Sequence, residues 1–168
     1  MQNSDLLVNI GRFLVLVVMQ ILLFNHINFL GYVNPYPYMV FILVFPFTGN
    51  KSLLIFLGFL LGLSVDIFSD SGGVHAASCV FIAYLRPLLL KFSFGVSYEF
   101  NTIKLSKADF GARVTYISIA VLLHHFVLFS LEIFNISHIL LVLKSTLFSS
   151  IFTIVLLLCI TLLFSRKN

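Results

Sequence analysis

The 168 residues include no tryptophan, two cysteines, four prolines and six acidic residues, and only a tenth of the chain is charged. Each shortage excludes something. So little charge, with 60% hydrophobic residues and a mean hydropathy of +1.11, excludes an ordinary soluble domain and points to a polytopic membrane protein. Cys79 and Cys159 both lie inside apolar runs, so they read as small packing residues that supply neither a disulfide framework nor a metal site. Without tryptophan, an interfacial aromatic belt has to come from tyrosine. Also missing are a GxSxG elbow, a CxxC pair, a phosphate-binding glycine loop and an acid pair at glycosidase spacing, which argues against the enzymes built on them.

What is present is a series of apolar runs. They predict one all-α membrane domain over residues 1–168, a helical bundle with six spans at about 10–27, 36–47, 52–68, 74–92, 112–134 and 139–164. The first run lacks a small-residue cleavage site and is followed by further runs, so it reads as a retained anchor. The second is short. Twelve residues of helix rise roughly 18 Å, against a hydrocarbon slab of about 30 Å, and Pro35, Pro37 and Pro46 bracket it. A short crossing and a re-entrant loop both remain open for it.

Basic residues orient the bundle. Six crossings put Arg12, Lys51, Lys91, Lys104, Lys107, Arg113, Arg166 and Lys167 on one side, while the turns near 28–35, 69–74 and 135–138 contain neither Lys nor Arg. The positive-inside rule then places both termini in the cytoplasm. If the second segment only dips in, the amino terminus moves outside and Arg12 alone is misplaced. The net charge of +4 is accounted for by this rule and by anionic lipid headgroups, so it implies no nucleic-acid partner. The tyrosines of "GYVNPYPY", residues 31–38, read as an interfacial anchor. Ser106 and Asp109 have capping-box spacing for the fifth helix. The loop from 93 to 111 reads as a connector, with a cytoplasmic docking surface as the alternative.

The polar residues are few and placed in register. Gly58, Gly62 and Asp66 recur every four residues, which puts them on one helix face where a neighbouring backbone can approach and turns the carboxylate into protein. His75, Cys79, Ile82 and Arg86 share a face of the next span. Antiparallel geometry pairs Asp66 with His75 and leaves Arg86 roughly 16 Å deeper; Pro87 bends the helix there and frees a carbonyl for Arg86 or a neighbour. Further along, His124, His125, Glu132 and Lys144 add polar groups, with His125 and Glu132 on one face. Asp66, His75, Glu132 and Lys144 fall in the outer half of the membrane. Unpaired ions are costly there, so an internal network is expected, with Asp66 to Lys144 or Glu132 to Lys144 as its ion pair. Adjacent histidines point about 100° apart and match no zincin pattern, so no metal or cofactor is expected.

The stretch "GLSVDIFSDSGGVHAASCVFIAYLRP", Gly62 to Pro87, resembles the central hairpin of the rod-shape-determining protein MreD family. The matching positions are Gly62, Leu63, Asp66, Gly73, Ala76, Tyr84 and Leu85. The resemblance implies a non-enzymatic subunit of the bacterial cell-elongation machinery in the inner membrane. Such a subunit binds MreC, a single-span protein with a periplasmic coiled coil, and helps connect MreB filaments to the glycan polymerase and transpeptidase that extend the wall. On this reading Gly58, Gly62, Asp66, Gly73, His75 and Arg86 are helix-packing or partner-interface residues. The family is also similar in fold to the substrate-binding subunits of energy-coupling-factor transporters. That likeness implies an alternative, in which Asp66, His75, His125, Glu132 and Lys144 line a pocket for a small solute or a lipid-linked precursor.

Overall fold

A computed structural model describes residues 3–27, 29, 31–46, 50–95, 105 and 108–165. Its described residues form six α-helices: α1 (Asn3–Leu22), α2 (Val40–Val44), α3 (Lys51–Ser69), α4 (Val74–Phe94), α5 (Phe110–Ile133) and α6 (Ile139–Ser165). Five of these, all except α2, are long and apolar enough to cross a membrane. Side-chain caps start two of them. The Asn50 side chain accepts hydrogen bonds from the backbone N–H groups of Ser52 and Leu53 at α3, and Asp109 accepts from Gly111 and Ala112 at α5, satisfying donors that have no partner inside the helix. Asp109 is thus itself the N-cap of α5, and not the third helical residue of a capping box; Ser106 lies outside the described residues. Residues 96–104 of the connector expected over 93–111 lie outside them too.

The second expected span is not a membrane-length helix. It consists of irregular backbone up to Tyr36, a 3-10 turn over Pro37–Met39 and the five-residue α2, while Phe47 is outside the described residues. Proline explains the break: Pro35 and Pro37 remove two backbone donors, and each disfavours helical backbone in the residue before it. Yet this segment does traverse the bundle. Asn25, just beyond α1, donates to Ser69 Oγ at the end of α3 at 2.7 Å, so the two helices finish at the same level and the chain between them must return. The register against α6 shows the direction of travel. Asn34 N–H donates to Ser149 Oγ and Tyr36 N–H to Thr153 Oγ1. Two residues of this segment thus pair with partners four helical residues apart on α6, about 6 Å along its axis, and the two chains keep step.

α3, α4, α5 and α6 pack in sequence, and α1 lies against α3 and the central segment. Tyr36, Tyr38, Met39, Val40, Phe41, Ile42, Leu43 and Phe45 are all buried. They form a peg inside the helices, touching α1 at Phe13, α3 at Gly58, α4 and α5 at His75 and His124, and α6 at Thr153. Irregular backbone at membrane depth is tolerated only where protein encloses it, and here protein does. The correction to "GYVNPYPY" follows: Tyr36 and Tyr38 are core residues, not interfacial anchors.

Candidate functional site

The turn between α3 and α4 gathers the hairpin residues into one contact. Asp70 ends α3 in the left-handed conformation, and Gly72 and Gly73 continue with positive φ, a conformation that glycine adopts without a Cβ clash. Gly73 is the N-cap position of α4 but has no side chain to cap with. Asp66 supplies the cap from the other helix. Its Oδ1 accepts from Ser71 Oγ at 2.5 Å and from the His75 backbone N–H at 3.0 Å, and its Oδ2 accepts from the Ala76 N–H at 2.8 Å. One turn earlier, a Cβ on Gly62 would land on the backbone of His75 and Ala76. The absence of a side chain there lets α4 come close enough for the carboxylate to reach its first turn.

Above this contact lies a cluster of rings. Tyr38 is fully buried, and its hydroxyl sits 2.9 Å from His75 Nδ1 and 3.1 Å from His124 Nε2. His124 Nδ1 is buried without a partner. A proton there would be an unsatisfied donor, so we assign it to Nε2, which donates to Tyr38; the Tyr38 hydroxyl then donates to His75 Nδ1. His125 belongs to a second chain of bonds. Its Nδ1 lies 2.8 Å from the Val121 carbonyl and must donate to it, leaving Nε2 to accept from the Thr153 hydroxyl at 3.2 Å. Thr153 in turn accepts the Tyr36 N–H. The Tyr36 ring packs against His75, His124, His125 and Phe129 at centroid distances of 5.2–6.5 Å.

The deep end of the peg is closed by Arg86, only 4% exposed. Its Nε donates to Tyr116 Oη at 3.1 Å, and its Nη2 donates to the carbonyls of Leu43 and Phe45. Tyr116 also donates to Leu43 at 3.4 Å. The guanidinium thus satisfies carbonyls at the end of α2, and not one freed by Pro87 within α4. Asp66 and Arg86 are the two buried charges of the hairpin, and each is held by peptide dipoles of the favourable sign: the carboxylate at a helix N-terminus, the cation at a helix C-terminal end.

That arrangement corrects the expected network. Among the described residues no ion pair joins Asp66 or Glu132 to Lys144. Glu132 and Lys144 are exposed, and the Lys144 ammonium lies 4.1 Å from the centroid of the Tyr32 ring, a cation–π contact. His125 shares a helical face with Glu132, but it is fully buried, whereas Glu132 lies exposed in the last turn of α5. His75 meets Asp66 through its backbone N–H, and its ring turns to Tyr38. Gly58 and Gly62 face α4 and the peg, so they serve packing within the chain. Cys79, Ile82 and Arg86 share the buried face with His75 as expected.

Sequence reading passed over Tyr36, Tyr38, Tyr116 and Thr153 as site residues. Signals for two of these were present. Pro-Tyr-Pro forbids a regular helix, and Ser145, Ser149 and Thr153 recur every four residues along α6, a polar stripe that needs a polar neighbour. The arrangement ties the peg, α3, α4, α5 and α6 together through hydrogen-bonded polar groups. Among the described residues no group of three or more His, Cys, Asp or Glu side chains has a metal-holding arrangement. No protein-family model, curated protein or solved structure matches the chain.

Proposed function

We propose that the protein is a non-enzymatic scaffold of the MreD type in the bacterial inner membrane. It crosses six times, with both termini in the cytoplasm, the peg counting as the second crossing. It binds the single-span protein MreC and so helps couple MreB filaments to lateral wall synthesis by the glycan polymerase and transpeptidase. One observation carries this reading: Gly62, Asp66, Gly73 and Ala76, the core of the resemblance, make a single contact in which each depends on the others. A motif whose members are mutually required is a stronger basis for a family likeness than four separate coincidences. The basic residues of the loops support the orientation.

The transporter alternative is not what we propose. All three donors facing Asp66 come from the α3–α4 turn and the start of α4, and His75 is bonded to Tyr38, so neither is directed at a solute. The test is a crosslinked pull-down of the tagged protein from native membranes. Recovery of a single-span coiled-coil protein with wall-synthesis enzymes is expected. Recovery of paired ATPases with a coupling membrane subunit would overturn the scaffold and favour the binding subunit.

A further inference from the structure

α4 has a second face that the chain leaves uncovered. Opposite the buried face lie Ala77, Phe81, Tyr84, Leu88 and Lys91, spaced four, three, four and three residues apart. Phe81 is half-buried and the other four are exposed. That spacing is the seam along which two helices pack at a shallow crossing angle. Lipid tails would satisfy a purely apolar seam. Tyr84 changes the argument. It is 71% exposed and lies ten residues from either end of α4, so its Cα is about 15 Å from both ends, too far for the ring to carry its hydroxyl to a headgroup. Among the described residues that hydroxyl has no hydrogen-bond partner, and hydrocarbon offers none.

We infer that this face docks one transmembrane helix of a different protein, a helix that carries a hydrogen-bond acceptor at mid-depth opposite Tyr84. Polar side chains at such depth join helices in membranes, and a small residue such as Ala77 lets the backbones close. Lys91 decides against a second copy of this chain. Two copies related about the membrane normal would set Lys91 against Lys91 at the end of the seam, a like-charge contact. The inference rests on the scaffold reading and names the surface its single-span partner occupies.

The test places a photo-crosslinking amino acid at 77, 84 or 88, with 15 on α1 and 152 on α6 as controls. Val15 and Phe152 are also exposed, at 57% and 46%. After irradiation of native membranes, the tagged chain is probed for the single-span coiled-coil protein. Adducts from 77, 84 and 88, and none from the controls, are expected. Tyr84→Phe should lower the adduct from position 88 about threefold, the worth of one membrane hydrogen bond, without altering thermal stability, because the hydroxyl touches nothing in its own chain. Leu88→Trp should abolish recovery by steric block. Partner recovered with adducts only from 15 or 152 overturns the surface and leaves the scaffold standing. No partner in either the pull-down or the crosslinking overturns both. An adduct of twice the chain's mass from position 84 overturns the hetero-partner in favour of self-association.

Discussion

Gly58 and Gly62 are one turn apart on the same face of α3, yet the structure assigns them opposite responses to a single added methyl group. At Gly58 a Cβ would lie 3.5 Å from the Ala83 Cβ and 3.5 Å from the Cys79 carbonyl oxygen, an ordinary contact distance. Gly58→Ala should therefore keep the helix-propensity gain of alanine, about 0.5–1 kcal/mol. At Gly62 the same atom meets the backbone of His75 and Ala76, which no rotamer change can move. Overpacking costs about 1–3 kcal/mol. If α4 shifts to make room, the two N–H bonds to Asp66 weaken as well, each worth about 1.5–3 kcal/mol with a charged acceptor. Offset by the propensity gain, Gly62→Ala should lose about 2–5 kcal/mol. The chain supplies its own reporter, because Cys79 is fully buried and Cys159 is exposed. In a Cys159→Ser background, a thiol-reactive fluorophore reports unfolding by labelling Cys79 as the protein is heated in lipid nanodiscs. Gly62→Ala should melt well below the parent and Gly58→Ala at or slightly above it. Equal melting of Gly62→Ala and the parent would refute the close α3–α4 contact, and equal damage from both would refute the room for a methyl group at Gly58.

The same assay checks four further expectations. Asp66→Asn keeps one acceptor oxygen but turns an NH2 group toward donors of the α4 turn, and should cost about 1–3 kcal/mol through the unsatisfied group; a neutral result would remove Asp66 as the cap of α4. Arg86→Met leaves the Leu43 and Phe45 carbonyls buried without the guanidinium and should cost about 2–5 kcal/mol, while Arg86→Lys, which retains the charge without the planar fork, should fall between it and the parent. Thr153→Val strands both the Tyr36 N–H and His125 Nε2, for about 2–4 kcal/mol, and Thr153→Ser should keep most of the stability; a loss from Thr153→Ser with none from Thr153→Val would show that the methyl group matters and the hydroxyl does not. Tyr38→Phe removes the oxygen shared by His75 and His124 and should lower stability by about 1–3 kcal/mol, with nitrogen-15 NMR of labelled histidine reporting a changed tautomer distribution.

What the sequence by itself determined are the features carried by short-range pattern. Runs of about 20 apolar residues can be satisfied in lipid only as helices, and they located α1, α3, α4, α5 and α6 to within a few residues at most ends. Four-residue spacing put Gly58, Gly62 and Asp66 on one face and His75, Cys79, Ile82 and Arg86 on another, because helical periodicity depends on nothing beyond the helix itself. The tertiary structure decided which groups those faces meet. Apolar environment raises the cost of any unpaired charge, which is why ion pairs were expected for Asp66 and Lys144. Peptide dipoles do the same work at shorter range, and an N–H two residues past a glycine turn is invisible to a search for opposite charges. Tyr38 shows the point most plainly. From its neighbours in sequence it belongs at a membrane surface, but two prolines stop the chain from coiling there, and the irregular backbone carries it into the bundle, where His75 and His124 converge on its hydroxyl.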